Sequence, residues 1–249
     1  MQSFFSRAAI AAAVLAGAAT SAQAGLILTI GDSNGPTTLT CNNTFAAGVL
    51  ACGVNGFITA LNSNSIAILS SVTVGGFQIG GSLTSTNNPG NASSAVLNQT
   101  TLTASNVSGV AGSFFVDLLS QGFTLPTGPG LYMTGSSGGS ANAGGSGTIT
   151  NRYFADPTNV GLLSNEINCS YAVSTSFNCD APGTNWLRNP GPFALRQIQE
   201  FSLGATVTGL NTTNNLLVVI PEPISLSLVG IALVGLGLAS RRRRNAAKA

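Results

Sequence analysis

Short apolar runs set between clusters of Gly, Asn, Ser and Pro are the feature that most limits what this chain can fold into. Residues 26–30 form one such run and stop at the turn-forming stretch 31–36, and β-branched runs follow at 66–69 and 72–74. Runs of this length and composition are typical of β-strands in a sandwich or barrel. The chain also contains 31 glycines. Because each glycine costs about 1 kcal/mol in a helix interior, long helices are disfavoured.

The body of the chain, residues 25–220, is therefore predicted to be mainly β, an antiparallel β-sandwich of the jelly-roll type with eight to eleven strands. Helix is an alternative only at residues 43–61, 159–167 and 193–201. Residues 135–147 are almost entirely Gly, Ser and Ala, which predicts a flexible loop. No Gly-Lys-Ser/Thr sequence follows that stretch, so we predict no phosphate site there.

Charge in this body is sparse and mostly negative. Its cations are Arg152, Arg188 and Arg196 against six carboxylates, a net charge of −3, and the whole chain has no histidine. A surface without phosphate-neutralising cations excludes nucleic-acid binding. The missing histidines, and the absence of lysine from the body, remove the common nucleophile systems, Schiff-base chemistry and the usual zinc sites. We therefore predict no catalytic residue, no cofactor and no metal, and a protein that is not an enzyme.

Paired-carboxylate hydrolysis is the enzymatic chemistry that this composition still permits, because it needs only two acids about 5–10 Å apart across a sugar bond. The sequence does not bring any two acids close together, so we expect solvated loop or turn residues. A secreted glycosidase is the less favoured alternative. The six candidates are Asp32, Asp117, Asp156, Glu166, Asp180 and Glu200.

A carbohydrate- or ice-binding adhesin is the stronger alternative. Trp186 could build a sugar-stacking platform with Tyr132, Tyr153 and Tyr171, although a single tryptophan is more often a core residue. Thr-x-Thr pieces occur at 101–103 and 148–150, but an ice-binding face would need such pieces stacked in a regular solenoid. No repeat of fixed period is present to stack them.

Four cysteines fall into two pairs that are close in sequence, Cys41 with Cys52 and Cys169 with Cys179. Four cysteines allow three connectivities, and an exported chain enters a compartment where disulfides persist. We predict local pairing, which closes two short loops worth about 2–3 kcal/mol each in the chain-entropy model.

The first 24 residues are predicted to be a cleaved signal peptide. Arg7 precedes an apolar stretch that is too short to span about 30 Å of hydrocarbon. Ala22 and Ala24 then place small side chains at the −3 and −1 positions of a cut before Gly25. Signal peptidase is therefore a predicted partner.

The last 29 residues, 221–249, have three parts. Pro221, Glu222 and Pro223 form an extended tripeptide, because the two prolines prevent a helix from continuing through it. An apolar run at 224–240 follows, predicted to be a transmembrane helix about 25 Å long. A cluster of positive charge then fixes the C-terminal side in the cytoplasm by the positive-inside rule. The cluster consists of Arg241, Arg242, Arg243 and Arg244.

This order of parts resembles the PEP-CTERM sorting signal of Gram-negative, exopolysaccharide-producing bacteria, also labelled an ice-binding-protein C-terminal domain. The resemblance covers residues 221–244. It implies recognition of Pro221-Glu222-Pro223 by an exosortase, transient residence in the inner membrane, removal of the anchor, and delivery to the cell surface or extracellular matrix. An ordinary tail anchor is the alternative.

The sequence thus predicts an exported, non-enzymatic cell-surface or biofilm-matrix protein that is processed at both ends. Exopolysaccharide is a candidate partner. The route is predicted by the two termini, whereas the ligand of the body is left open.

Overall fold

A computed structural model describes residues 25–35, 38–42, 51–52, 58–62 and 64–221. The predicted signal helix at 1–24 and the predicted transmembrane helix at 224–240 lie outside these residues. The described chain forms antiparallel β-sheets without helix, which confirms the mainly β prediction. Residues 193–201, a possible helix by sequence, form part of a strand, and residues 159–166 form an irregular loop.

Two sheets contain the strands. The first sheet has seven, in the spatial order β13 (Ile167–Ala172), β12 (Gly147–Asp156), β15 (Phe193–Leu203), β10 (Gly112–Phe123), β1 (Gly25–Asp32), β2 (Thr38–Asn42) and β3 (Ala51–Cys52). The second follows the order β14 (Phe177–Leu187), β11 (Gly130–Ala141), β16 (Leu210–Val219), β9 (Ser94–Asn106), β8 (Leu83–Thr86), β5 (Ser65–Ile68) and β4 (Ile58–Asn62). A short hairpin, β6 (Val72–Val74) and β7 (Phe77–Gly80), pairs with β9.

The described residues form sixteen strands, more than the eight to eleven predicted. Two of the additional strands, β13 and β14, are edge strands in which Asn, Ser, Asp or Thr interrupt the apolar residues, so they contain no apolar run to reveal them. The others, β2, β3, β4 and β8, are segments of two to five residues, which are too short for an alternating pattern to be read.

One hydrophobic core lies between the two sheets, giving a sandwich-like body. Phe114 of the first sheet stacks on Phe201 with ring centroids 4.3 Å apart and meets Phe77 of the second sheet at 5.0 Å. A polar layer crosses the same interior. There Thr212 donates to Gln199 Oε1 at 3.2 Å, and both side chains are almost fully buried.

A disulfide joins the two sheets at one side of the sandwich. Cys169 on β13 and Cys179 on β14 are bonded, with their Cα atoms 6.1 Å apart, as predicted. Each strand is the last in its sheet, so the bond closes that side. Cys41 lies opposite Cys52 in the ladder of β2 and β3, which is the backbone register that the second local pairing requires.

The flexible loop predicted at residues 135–147 is wrong for most of its length. Residues 135–141 belong to β11, and only 142–146 form a turn before β12 begins at Gly147. The glycines there make room for rings, because a Cβ at Gly135 would overlap the Tyr153 ring and one at Gly139 would overlap the Phe177 ring. Composition alone could not distinguish glycine used for flexibility from glycine used for close packing.

Candidate functional site

A cleft on the outer face of the first sheet brings together an aromatic ring, two carboxylates and several hydroxyls. The register of four adjacent strands aligns its centre: Thr150 lies opposite Glu200, Glu200 opposite Phe115, and Phe115 opposite Gly31. Residues in register across a sheet point to the same face. The cleft encloses about 540 Å³ and is lined by Asp32, Ser33, Ser113, Phe115, Thr148, Thr150, Glu200, Phe201 and Ser202. We call it the Phe115 cleft.

The Phe115 ring lies on the backbone of Gly31. A Cβ at Gly31 would come within contact of three ring carbons, at 3.3 Å for Cε2 and closer for the other two. The ring remains half-buried rather than covered. Because Gly31 has no side chain, the Phe115 ring can pack directly on its backbone, and this contact holds the ring at the surface.

Asp32 and Glu200 are held differently. Asp32 Oδ1 accepts a hydrogen bond from the Asn34 amide at 2.8 Å, and Asn34 Nδ2 donates to Ser113 Oγ at 2.7 Å, which fixes the turn beside the cleft. The Glu200 side chain is 49% exposed, and its oxygen lies 3.8 Å from Arg152 Nη1. Its carboxylate can therefore accept hydrogen bonds from a ligand without breaking a short ion pair.

Arg152 is directed mainly to Glu166 rather than to Glu200. Its Nε and Nη2 donate to the two Glu166 oxygens at 2.8 and 3.0 Å. The hydrogen bond from Arg152 lowers the pKa of Glu166, and the same bond raises the pKa of Arg152. Both charges persist at neutral pH, so Arg152 stays anchored at the border of the Phe115 cleft.

A second concave region lies on the second sheet across β9, β16 and β11. It encloses about 410 Å³, and none of its nine lining residues is charged or aromatic. Asn98, Asn215 and Ser136 lie in register across these three strands. We call this region the amide trough.

The sugar-stacking platform, the less favoured interpretation of Trp186, does not form. Trp186 is only 3% exposed and meets Phe193 edge-on at 5.5 Å, so it is a core residue, as is usual for a single tryptophan. Tyr153 is fully buried, and burial raises the pKa of its hydroxyl. Tyr171 stacks on Phe177 at 4.7 Å, whereas Tyr132 alternates with buried neighbours on β11 and stays half-exposed.

The two Thr-x-Thr pieces lie on different sheets. Thr148 and Thr150 are on β12 and line the Phe115 cleft, whereas the 101–103 piece is on β9, where Thr103 donates to the Gly80 carbonyl at 2.7 Å. They do not stack into one array.

Two of the six candidate carboxylates differ from the solvated residues expected. Asp156 is 2% exposed and accepts hydrogen bonds from the amides of Thr158, Gly161 and Leu162 at 2.7–2.9 Å. Asp117 forms a bidentate pair with Arg196, at 2.9 Å through Nε and 2.5 Å through Nη2. The structure instead brings Asp32 and Glu200, 168 positions apart in sequence, to one cleft. Sequence spacing could not reveal this, because strand order creates it.

Within the ranges that the structure describes, no cluster of three or more His, Cys, Asp or Glu side chains is placed to hold a metal ion. Over the same part of the chain, no helix has the length and apolarity required to cross a membrane.

Two of the predicted processing residues fall within the described chain. Gly25 is the first residue of β1, and Pro221 is exposed just beyond the end of β16. The others lie outside the described residues: Ala22, Ala24, Glu222, Pro223, Arg241, Arg242, Arg243 and Arg244.

No family model matches the sequence, and no curated protein gives a significant match. Among solved structures, 59% of this chain is similar to 20% of the enzymatically active domain of tailspike protein 4 from bacteriophage CBA120, at 15% identity and a TM-score of 0.31. A second similarity covers 58% of this chain and 88% of TmCBM61, whose structure is in complex with β-1,4-galactotriose, at 9% identity and a TM-score of 0.28. At these TM-scores the likenesses carry no information about function.

Proposed function

We propose that this chain is an exported, non-enzymatic cell-surface or biofilm-matrix protein that binds a neutral polysaccharide through the Phe115 cleft. The observation that carries the proposal is the Phe115 ring, seated on Gly31 at the surface and bordered by carboxylates and hydroxyls. An aromatic face packs against the C–H surface of a sugar ring, while polar groups at its border fix orientation.

The charges of the cleft select among polysaccharides. Glu200 can accept hydrogen bonds from sugar hydroxyls, and the negative charges of Glu200 and Asp32 repel carboxylate or sulfate groups on an acidic glycan. A neutral glycan such as a galactan or a glucan fits this arrangement, and an acidic one does not.

We infer a jelly-roll arrangement for strands β9–β16. One sheet has the neighbours β9, β16, β11 and β14, and the other has β10, β15, β12 and β13. The chain therefore crosses repeatedly between the sheets. This order supports the finer topology expected from the sequence.

The non-enzymatic part of the proposal is supported by the hydrogen bonds and ion pairs that the carboxylates form within the protein. Asp117, Asp156 and Glu166 are occupied by Arg196, backbone amides and Arg152 respectively. Asp32 and Glu200 are the two acidic residues that line the cleft. Turnover of a neutral glycan that Glu200→Gln abolishes would contradict a purely binding role.

For the termini, we propose the route that the sequence predicts: signal peptidase cleavage before Gly25, membrane insertion of 224–240, and exosortase processing at Pro221-Glu222-Pro223. The exposed position of Pro221 beyond β16 supports access by a peptidase. The intact mass of the protein from membrane and medium tests this route. A C-terminus that retains Arg241–244 in every fraction would leave an ordinary anchored protein.

Binding is tested with the full chain in detergent, by affinity electrophoresis in gels containing galactan, dextran or amylose. Phe115→Leu keeps the side chain apolar but removes the ring face, and we expect at least a tenfold loss of affinity for the glycan that retards the wild type. Thr213→Ala, which alters the amide trough, is the matched control and should bind normally. Equal retardation of both variants, or none of the wild type on any neutral glycan, would overturn the assignment.

A further inference from the structure

The C-terminal tail leaves the sandwich at a defined end. Strand β16 finishes at Val219, and the amide of Ile220 donates to the Ser93 carbonyl at 3.4 Å. Only residues 221–223 separate this point from the apolar run that begins at Ile224. Three extended residues reach at most about 10 Å. Whatever surface the apolar run enters must therefore lie within about that distance of this end, which we call the exit end.

Three further segments lie at the exit end. Gly25 begins β1 opposite Gln121, and Gln121 Nε2 donates to the Asn159 carbonyl at 3.0 Å. The loop 157–166 is thus fixed beside the first residue of the body. On the other sheet, Leu187 pairs with Gly130, two residues beyond the Tyr132–Val219 pair. Asn88 bridges the sheets here, donating to the Gln121 carbonyl at 2.5 Å.

This end carries an unusual share of exposed aliphatic side chains. Of the nine large hydrophobic residues that are exposed in the described chain, five lie here: Val160 at 62%, Leu162 at 56%, Leu163 at 50%, Leu187 at 77% and Ile220 at 40%. Single exposed hydrophobic residues need no explanation, but a group at one end marks an interaction surface.

The loop that holds three of them is rigidly built. The buried Asp156 carboxylate accepts hydrogen bonds from the amides of Val160 and Leu162 at 3.0 and 2.9 Å. Arg196 Nη1 also donates to the Gly161 carbonyl at 3.0 Å. Because the backbone donors turn inward to Asp156, the Val160 and Leu162 side chains remain at the surface instead of folding back onto the body.

A cation lies at the same end. Arg188 Nη1 donates to the Pro126 carbonyl at 2.5 Å, and Nη2 donates to the Gly191 carbonyl at 2.6 Å. Neutral carbonyls position the guanidinium without cancelling its charge. Its charge can therefore attract an anionic phosphate nearby.

We propose that the exit end rests on the outer surface of the membrane while the tail is inserted, with Val160, Leu162 and Leu163 entering the lipid headgroup region. This inference rests on the proposed membrane insertion of residues 224–240. The short tether brings the end to the bilayer, and the exposed aliphatic residues there gain by leaving water. Asp32 and Thr148 of the Phe115 cleft lie at the ends of β1 and β12 that are far from the exit end. The cleft is therefore distant from the lipid surface.

The test uses the full chain reconstituted into vesicles of phosphatidylcholine and phosphatidylglycerol, labelled with an environment-sensitive fluorophore at an added cysteine. Leu163→Cys places the label at the exit end, and Val110→Cys, at a residue 67% exposed beyond the far end of β9, is the matched control. Quenching by lipids that carry a headgroup spin label should be several-fold greater at position 163 than at 110. Extraction at alkaline pH reports separately whether the tail is inserted.

Inserted tail with equal quenching at the two positions would overturn the resting surface and leave the proposed route intact. A label at 163 that is shielded from water but not quenched by lipid would mean that a second protein copy covers this end, which also overturns the proposal. A tail that extracts at alkaline pH would overturn both the anchoring step and the inference that depends on it.

Discussion

The outer faces of the two sheets differ in chemistry although both are built on antiparallel strands. The three ion pairs of the described residues belong to the first sheet and its adjoining loop, and they involve Arg152 and Arg196. The corresponding region of the second sheet, the amide trough, presents a row of Ser136, Asn215 and Asn98 in register. The first face combines charge, a ring and hydroxyls, and the second offers amides and hydroxyls alone.

This difference indicates which of the two faces would gain more free energy by binding a ligand. Exposed amides and hydroxyls already hydrogen-bond water, so exchanging water for a sugar hydroxyl gains little. An exposed aromatic ring is unfavourable in water, so its burial against the apolar face of a sugar lowers the free energy. The amide trough is therefore expected to keep the protein hydrated, and the Phe115 cleft to select a partner.

The largest effect on stability is expected from removing the disulfide that joins the two sheets. Replacing Cys169 and Cys179 together by serine removes the bond between β13 and β14. For a loop of this length the chain-entropy model gives a loss of about 3 kcal/mol in the free energy of unfolding. Chemical denaturation of the oxidised wild type and the double variant measures it.

Reducing agent offers a control for this experiment. It should lower the stability of the wild type and leave the double variant unchanged, apart from any contribution of the pair at 41 and 52. If the double variant were as stable as the wild type, the edge bond would not be what holds the two sheets together at this side.

An intermediate effect is expected from the ion pair on the first face. Asp117→Asn removes the charge that faces Arg196, whose guanidinium is also hydrogen-bonded to the Gly161 carbonyl. Both side chains are mostly buried, at 14% and 26% exposure. We expect a loss of about 1–2 kcal/mol in the free energy of unfolding, seen as a lower denaturation midpoint.

Asn215→Ser on the second face is the matched control, and its effect should stay within about 0.5 kcal/mol. Equal losses at the two positions would mean that the faces contribute alike to stability, and the contrast between them would be confined to ligand binding.

The smallest effect is a pH dependence centred on Asp156. Burial opposes ionisation of this carboxyl, but hydrogen bonds from the Thr158 hydroxyl and from the Thr158, Leu162 and Gly161 amides outweigh it and lower its pKa. A carboxyl with a lower pKa in the folded chain stabilises the fold above its unfolded pKa. That stabilisation is lost as the pH falls below about 4 and through the folded pKa.

Asp156→Asn should therefore unfold more easily at pH 7 and show a flatter decline in stability on acidification than the wild type. For a single group the difference in slope cannot exceed about 1.4 kcal/mol per pH unit. Denaturant titrations at several pH values measure the slopes, with Asn215→Ser as the reference that removes no titratable group. Parallel slopes for Asp156→Asn and the wild type would show that the buried carboxylate does not control acid stability.

The fold class followed from the sequence where strands have a buried face and an apolar run. The predicted strand at 26–30 lies in β1, and the one predicted at 66–69 lies in β5 except for Leu69. The local pairing of Cys169 with Cys179 is also confirmed. These signals are local, so a single sequence contains them.

The candidate site could not be predicted in this way. Phe115 looks like an ordinary strand residue until strand order places Gly31 beneath it and Glu200 beside it. Trp186 and Tyr153 were candidate binding residues only because they are large and aromatic, and both fill the core. Which face of a strand meets solvent depends on partners that are distant in sequence, and composition does not encode them.

The glycines of β11 have a consequence for how this protein can change over evolutionary time. Gly135 and Gly139 leave the space that the Tyr153 and Phe177 rings occupy, whereas a Cβ at Gly130 on the same strand would meet nothing within 4 Å. Related chains should therefore diverge readily at position 130 and resist change at 135 and 139. These two positions, in the stretch with the simplest composition, would then evolve among the slowest, because an added methyl group would overlap a neighbouring ring.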